Sequence, residues 1–149
     1  MFEQEDRRNS SGRRASDHPR YERETRSIRV AVKPAYLDDQ SDPEDDRYVW
    51  AYTVTIENKG AESVQLLSRV WHITDGDGRI QEVSGPGVVG AQPVIAPGQS
   101  FEYTSGCPLE TASGYMMGRY QMMSASGEAF DAEIPAFLLE SPYERRRIH

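Results

Sequence analysis

The segment "YVWAYTVTIEN", residues 48–58, decides the fold class. Every second residue from its start is aromatic or β-branched: Tyr48, Trp50, Tyr52, Val54 and Ile56. The polar residues Thr53, Thr55 and Glu57 fall between them. A period of two with these residue types predicts a β-strand that buries one face and exposes the other.

The same period recurs on both sides of this segment. It places the following sets on shared faces: Ile28, Val30 and Val32; Phe101, Tyr103, Ser105 and Cys107; Met116, Gly118, Tyr120 and Met122; Phe130, Ala132 and Ile134. In residues 64–74 the phase changes, because Val64 and Leu66 are out of step with Trp71 and Ile73. A β-bulge near Leu66 restores the register. Pro135 is expected to end the last strand, since proline donates no ladder hydrogen bond.

Turn signals separate these strands at short intervals. They are Asn58-Lys59-Gly60, Asp75-Gly76-Asp77-Gly78 and Ala96-Pro97-Gly98. No window of ten or more residues carries a helical apolar stripe with capping residues. Short strands with regular turns predict an all-β protein, built as a sandwich or a barrel.

The ends of the chain differ in composition from its middle. Residues 1–26 carry seven arginines and six acidic residues with very little to bury, and we expect them to be disordered. Residues 27–142 are expected to form one domain, and residues 143–149 a basic tail. Residues 27–140 hold seven Lys/Arg against 17 Asp/Glu, a net charge of −10, which disfavours binding to nucleic acid.

The composition also bears on location. No apolar run approaches the roughly 18 residues of a membrane span, so membrane insertion is not expected. The first 20 residues lack the apolar core of a secretory signal. Cys107 is the single cysteine, which fits a reducing, cytoplasmic setting.

The stretch "SGPGVVGAQPVIAPG", residues 84–98, contains the spelling G-x-G-x-x-G at Gly85, Gly87 and Gly90. That motif binds pyrophosphate when it follows a strand and opens a helix. Here prolines follow within a few residues and exclude the helix. Two interpretations stay open: an anion-binding loop of backbone amides, or glycines that serve backbone geometry alone. Nearby Arg69, Arg79 or Arg119 would favour a nucleotide, and an exposed apolar patch would favour a protein partner.

Other candidate residues carry weaker signals. The acidic run 38–46 offers six carboxylates to a hard cation but is typical of a solvated loop. Asp75 and Asp77 resemble the start of a calcium loop, yet Pro86 stands where that loop needs glutamate. Cys107 as a nucleophile would need His72 as its base, and no metal-spaced cluster is present, so no catalytic or metal site is predicted. The methionines at 116, 117, 122 and 123 are expected to be mostly core, with an adaptable partner surface as the alternative.

Three segments together resemble the bacterial ApaG family: residues 40–58, 66–109 and 114–122. The specific features are Ser41-Asp42-Pro43-Glu44 before an aromatic strand, Arg69-x-Trp71, the glycine pattern 85–90, and Thr104-Ser105-Gly106. His72 departs from the family, in which an apolar residue is common, and the charged extension 1–26 is longer than expected.

The resemblance implies a fold and a general role. The implied fold is a fibronectin type III or immunoglobulin-like sandwich of two antiparallel sheets. The implied role is a non-enzymatic binding module for an unidentified protein partner, linked to cobalt and magnesium resistance or efflux and using no cofactor. The alternative is a protein that binds a nucleotide or pyrophosphate through Gly85, Gly87 and Gly90.

Overall fold

The computed structural model describes residues 3–6 and 21–143. Within them are ten β-strands: β1 (Glu3–Asp6), β2 (Tyr21–Thr25), β3 (Ile28–Tyr36), β4 (Tyr48–Asn58), β5 (Val64–Asp75), β6 (Ile80–Pro86), β7 (Val94–Ile95), β8 (Ser100–Leu109), β9 (Gly114–Ser124) and β10 (Ala129–Leu139). Two short 3₁₀ helices, Asp38–Gln40 and Pro43–Asp45, lie in the loop between β3 and β4. In these residues no helix is long and apolar enough to span a membrane.

The strands form two antiparallel sheets that face each other. One sheet has the order β1-β8-β4-β3-β2, and the other has the order β10-β9-β5-β6 with β7 paired to β5. The predicted fold class is confirmed: the protein is an all-β, fibronectin type III or immunoglobulin-like sandwich. The alternation in residues 48–58 has the predicted consequence, since Trp50, Tyr52, Val54 and Ile56 are all buried between the sheets.

Aromatic rings from both sheets meet in the core. The centroid of Trp71 on β5 lies 5.3 Å from that of Tyr52 on β4 and 6.0 Å from that of Phe137 on β10. The hydroxyl groups of Tyr103 and Tyr120, both buried, form a hydrogen bond of 2.5 Å across the sandwich. Each of these two buried hydroxyl groups therefore has its hydrogen-bond partner on the facing sheet.

The predicted bulge in β5 is present. The pairing of β5 with β9 shifts register between Leu66 and Ser68. This extra residue lets Leu66 and Trp71 both point into the core, although their spacing is odd.

The structure corrects two expectations. Tyr21–Thr25 form β2, which pairs with β3, so this part of the expected disordered tail 1–26 belongs to the sheet. Glu3–Asp6 pair with β8 as well. The other residues of that tail, and residues 144–149, lie outside the described part. Apolar content failed to identify β2 because its middle residues face solvent and the strand is held by its neighbours: Arg29 makes ion pairs of 3.0 Å with both Glu22 and Glu57.

The second correction concerns Pro135. The strand β10 does not end there but continues to Leu139. Its pairing with β9 shifts register between Ile134 and Phe137, so the proline falls in an irregularity that needs no ladder donor.

Candidate functional site

The glycine loop 85–90 is a tight β-turn at the end of β6. The amide of Val88 donates to the carbonyl of Ala91, and the amide of Ala91 donates back to Val88, both at 2.8 Å. Between them Val89 and Gly90 have φ values of +42° and +80°, the two-residue turn in which both central residues are left-handed. No helix follows the turn, since β7 is the next element.

Gly87 has a strict steric role in this loop. Its φ is +62°, and a Cβ atom placed on it would lie 2.2 Å from the carbonyl oxygen of Ala91. Its amide donates to the carbonyl of Leu67 at 2.8 Å. Pro86 has no amide hydrogen, and the amides of Gly87, Val88 and Ala91 are engaged within the loop. Backbone geometry accounts for Gly87 and Gly90, and phosphate binding at Gly85, Gly87 and Gly90 stays a prediction.

The arginines that would favour a nucleotide do not converge on this loop. Arg69 is beside it, but its guanidinium donates to the carbonyl oxygens of Pro86 at 3.1 Å and Gly87 at 2.7 Å. Arg79 pairs with Asp75 at 2.9 Å, in the turn between β5 and β6. Arg119 lies 3.6 Å from Asp131, on the outer face of the second sheet.

The turn between β5 and β6 is held by Asp75. One carboxylate oxygen accepts from the amides of Asp77 at 2.9 Å and Arg79 at 3.0 Å, and the other accepts from the Arg79 guanidinium. Desolvation would raise the pKa of this carboxyl group, but the hydrogen bonds from Arg79 and Asp77 outweigh it and hold the pKa below its ordinary value. The two aspartates therefore lie in a hairpin turn, which the sequence favoured over a calcium-binding loop.

The structure keeps Cys107 and His72 apart. Cys107 is buried on the inner face of β8, and desolvation raises the pKa of its thiol to about 12. His72 lies on the outer face of β5, with its Nδ1 3.9 Å from a carboxylate oxygen of Glu82. In the described residues there is also no group of three or more His, Cys, Asp or Glu side chains arranged to hold a metal ion.

A different feature stands out on the second sheet. The described residues include five large hydrophobic side chains that are exposed: Ile80 at 70%, Val94 at 64%, Leu138 at 48%, Met117 at 43% and Tyr115 at 40%. The pairing registers put all five on the outer face of one sheet. Ile80 lies opposite Thr74, Thr74 opposite Tyr115, and Tyr115 opposite Leu138, so these four residues form one row across the four strands.

Met117 lies in the next row of the same face, opposite His72. We call Ile80, Tyr115, Met117 and Leu138 the apolar band. Strands are spaced about 4.8 Å apart, so the row from Ile80 to Leu138 spans about 14 Å. Val94 lies at the other end of the face, opposite Gln65.

Polar groups lie on the outer face between the apolar band and Val94. Beyond the apolar band are the Arg119–Asp131 pair and a hydrogen bond from Ser68 to Gln121. An apolar band beside a polar rim is the arrangement found at protein–protein contacts.

Sequence reasoning identified one member of the apolar band. The period of two in β9 puts Met117 on the face opposite Met116 and Met122, and the structure shows Met117 exposed and the other two buried. A methionine partner surface was the alternative to a core role. Sequence reasoning did not group Ile80, Tyr115 and Leu138, because they are brought together only by the register of three strand pairs. The sequence did show that each of these residues alternates with the residues of its strand that face the core, and so lies on the outer face.

Comparison with known proteins gives consistent matches. The family model for the ApaG domain matches residues 38–124. The chain is 62% identical over 127 residues to the protein ApaG of Rhodospirillum centenum, covering 85% of this chain and 98% of that protein. It is 57% identical over 129 residues to the protein ApaG of Parvibaculum lavamentivorans, covering 87% and 99%. Among solved structures, it resembles the ApaA protein of Bordetella pertussis with a TM-score of 0.76 and 52% identity, covering 77% of this chain and 94% of that one.

Proposed function

The chain belongs to the ApaG family, and from this premise we propose that it is a protein-docking module that works without catalysis. The observation that carries the proposal is the apolar band on the outer face of the β10-β9-β5-β6 sheet. Four large apolar side chains are grouped there, although residues 27–140 carry a net charge of −10. A partner that covers them removes apolar surface from water at about 25 cal/mol per Å².

The chemistry of the band suits an interface. Tyr115 offers a large ring with a polar tip, and Met117 offers a flexible thioether that adapts to different partner shapes. The backbone beneath them is rigid, because β9 is a central strand with neighbours on both sides. Docking on such a sheet requires little ordering of the module itself, which lowers the entropic cost of association.

Two observations support a non-catalytic role. The thiol of Cys107 is buried with a raised pKa, so it supplies little thiolate at neutral pH. His72 points to the opposite side of its sheet and does not meet that thiol. We also propose that the protein is cytoplasmic. Any role in cobalt or magnesium homeostasis would then be carried out by its partner. Direct binding of Co²⁺ or Mg²⁺ to the purified protein, measured by calorimetry, would contradict that last element.

Photo-crosslinking in living cells tests the proposal. A benzophenone amino acid replaces Met117 in one version of the protein and Ala61 in another. Ala61 is exposed in the loop between β4 and β5, at the opposite end of the sandwich. We expect the residue-117 version to form one recurrent protein adduct that the residue-61 version lacks. Identical adduct patterns at both positions, or no adduct at residue 117, would contradict the proposal.

A further inference from the structure

We propose that the free edge of β6 binds an extended segment of a protein partner in which apolar and basic side chains alternate. This inference rests on the proposed function and names the chemistry of the partner. It depends on three features of the structure: an uncovered strand edge, the apolar band on one side of it and an acidic cleft on the other.

Among the described residues, nothing pairs with the outer edge of β6, whereas the opposite edge of the sheet is covered. At the β10 edge, the ring of Phe137 packs against Tyr21 of β2, and the amide of Glu133 donates to the hydroxyl of Thr25. At the other edge, β6 pairs with β5 and with no second strand in the described part of the chain. A strand in this position presents a row of backbone groups that another chain can pair with.

The hydrogen bonds around β6 show which groups face outward. The amide of Asp75 donates to Arg79, and the amide of Gly87 donates to Leu67, at the two ends of the β5–β6 pairing. In an antiparallel pair, hydrogen-bonded and non-bonded positions alternate. The residues between these two fixed points that direct their N–H and C=O groups away from β5 are Ile80, Glu82 and Ser84.

β6 carries few of the features that usually protect an edge. Natural edge strands are blocked by lysines, prolines or bulges. Between Ile80 and Gly85 the only charged residue is Glu82, and the first proline is Pro86 at the end of the strand. The segment from Ile80 to Ser84, five residues and about 17 Å long, is therefore available for pairing.

The two sides of an added strand would meet different chemistry. Side chains on the outer side would lie next to Ile80 and extend the apolar row. Side chains on the inner side would face a cleft of about 630 Å³ that contains Gln81 and Ile73. Because successive side chains of a strand point to opposite sides, the bound segment must alternate in character.

The inner side favours a basic residue next to Gln81, whereas the Arg69 guanidinium lies beside Gly85 further along the strand. The cleft is lined by four carboxylates, those of Asp45, Asp46, Asp75 and Glu110, and by the guanidinium groups of Arg47 and Arg79. Arg79 lies 2.9 Å from Asp75, 3.3 Å from Asp77 and 3.9 Å from Glu110, so two of the four carboxylates share its charge. Four carboxylates against two guanidinium groups leave the cleft with a net charge of −2. The surrounding body has a net charge of −10 over residues 27–140, so a cationic segment is attracted from a distance as well.

A synthetic peptide tests this inference on the full-length protein. The probe is a capped octapeptide of alternating valine and arginine, with binding measured by calorimetry. We expect it to bind, and we expect alternating valine and glutamate to bind at least tenfold more weakly. The valine–arginine peptide with every backbone amide methylated should also lose at least tenfold, because it cannot donate hydrogen bonds to the edge.

Paired variants at Ser84 supply the control. Ser84→Pro removes one outward-facing donor and leaves the pairing with β5 intact, so affinity should fall at least tenfold. Ser84→Val keeps the donor at similar side-chain size and should retain affinity. Slowed hydrogen exchange at the amides of Ile80, Glu82 and Ser84 in the complex would locate the peptide on the edge.

Three results would overturn the inference. The first is no binding of the valine–arginine peptide, and the second is equal binding by the two Ser84 variants. The third is self-association of the unliganded protein in sedimentation, abolished by Ser84→Pro, because that would assign the edge to a second copy. Failure of the residue-117 crosslink with edge binding intact would contradict the proposed function alone. A residue-117 crosslink without edge binding would contradict only this inference.

Discussion

Gly87 illustrates how a residue associated with phosphate binding can be required for purely steric reasons. A side chain at this position would overlap the carbonyl group of Ala91 and would also have to adopt a positive φ. Gly90 differs from it, because its φ of +80° is unusual but the space around it is open.

The two glycines therefore have different expected costs. We expect Gly87→Val to lower the free energy of unfolding by about 2 kcal/mol or more, through left-handed strain together with steric overlap. Gly90→Ala should cost about 1–2 kcal/mol, since it carries the strain alone. Denaturant unfolding measures both. A nucleotide titration that shows micromolar affinity in the unmodified protein, lost in a folded Gly87→Val variant, would restore the phosphate-loop interpretation.

Trp71 and Met117 lie on opposite faces of adjacent strands, and we assign folding to the first and the proposed docking to the second. Trp71 is buried between the sheets, while Met117 lies on the outer face opposite His72. Trp71→Ala should cost about 3–5 kcal/mol, because it leaves a cavity among aromatic rings. Met117→Ala should change the free energy of unfolding by at most about 0.5 kcal/mol. Near-native stability of Trp71→Ala, or a large loss in Met117→Ala, would show that the two faces have been assigned wrongly.

Among the strands, β2 has a polar composition but contacts both sheets. Its ends, Tyr21 and Thr25, contact β10 through Phe137 and the amide of Glu133. Its turn to β3 places Arg26 over the ring of Phe130, 4.7 Å from the centroid. The strand thus joins the two sheets along the side of the sandwich where they meet.

Truncation measures this contribution. A chain that begins at Ser27 should melt at least about 4 °C lower than one that begins at Tyr21, because it loses β2 and leaves the edge of β3 open. Neither protein contains the residues before Tyr21, so the difference between them comes from residues 21–26. Equal melting temperatures would mean that β2 is not coupled to the rest of the fold.

Strands and the bulge could be predicted where the alternation of apolar and polar residues matches the alternation of buried and exposed side chains. The out-of-phase residues Val64 and Leu66 predicted the bulge in β5, because only an extra residue could bring both phases to one core. The pattern was insufficient at β2, whose polar middle resembles that of an unfolded segment, and at Pro135, where an irregular pairing tolerates proline. Those two outcomes depend on neighbouring strands that local sequence does not specify.

The candidate site was less predictable than the fold for the same reason. Ile80, Tyr115 and Leu138 are 23 or more positions apart in the sequence, and only the register of the sheet makes them neighbours. The glycine motif, in contrast, was conspicuous because its residues are contiguous. Contiguity made the motif easy to see. No helix follows it, the Arg69 guanidinium donates to a carbonyl oxygen of the loop, and phosphate binding there stays a prediction.

In the molecule as a whole, the surface proposed for docking lies apart from the core that stabilises the fold. Aromatic and β-branched residues fill the space between the sheets, where the two tyrosine hydroxyls satisfy each other. The apolar band and the edge of β6 lie together at one end of the second sheet, beside the acidic cleft. Changes in this region should alter partner binding while the fold persists.

If the apolar band binds the partner, a single charged substitution within it should weaken that binding. The measurement is the dissociation constant of the protein crosslinked through residue 117, for the unmodified chain, for Met117→Lys and for Ala61→Lys. Both substitutions add the same charge, and neither residue is in the core. We expect Met117→Lys to weaken binding at least tenfold and Ala61→Lys to leave it within about twofold, with unfolding free energies unchanged. Equal affinities for the two variants would contradict the claim.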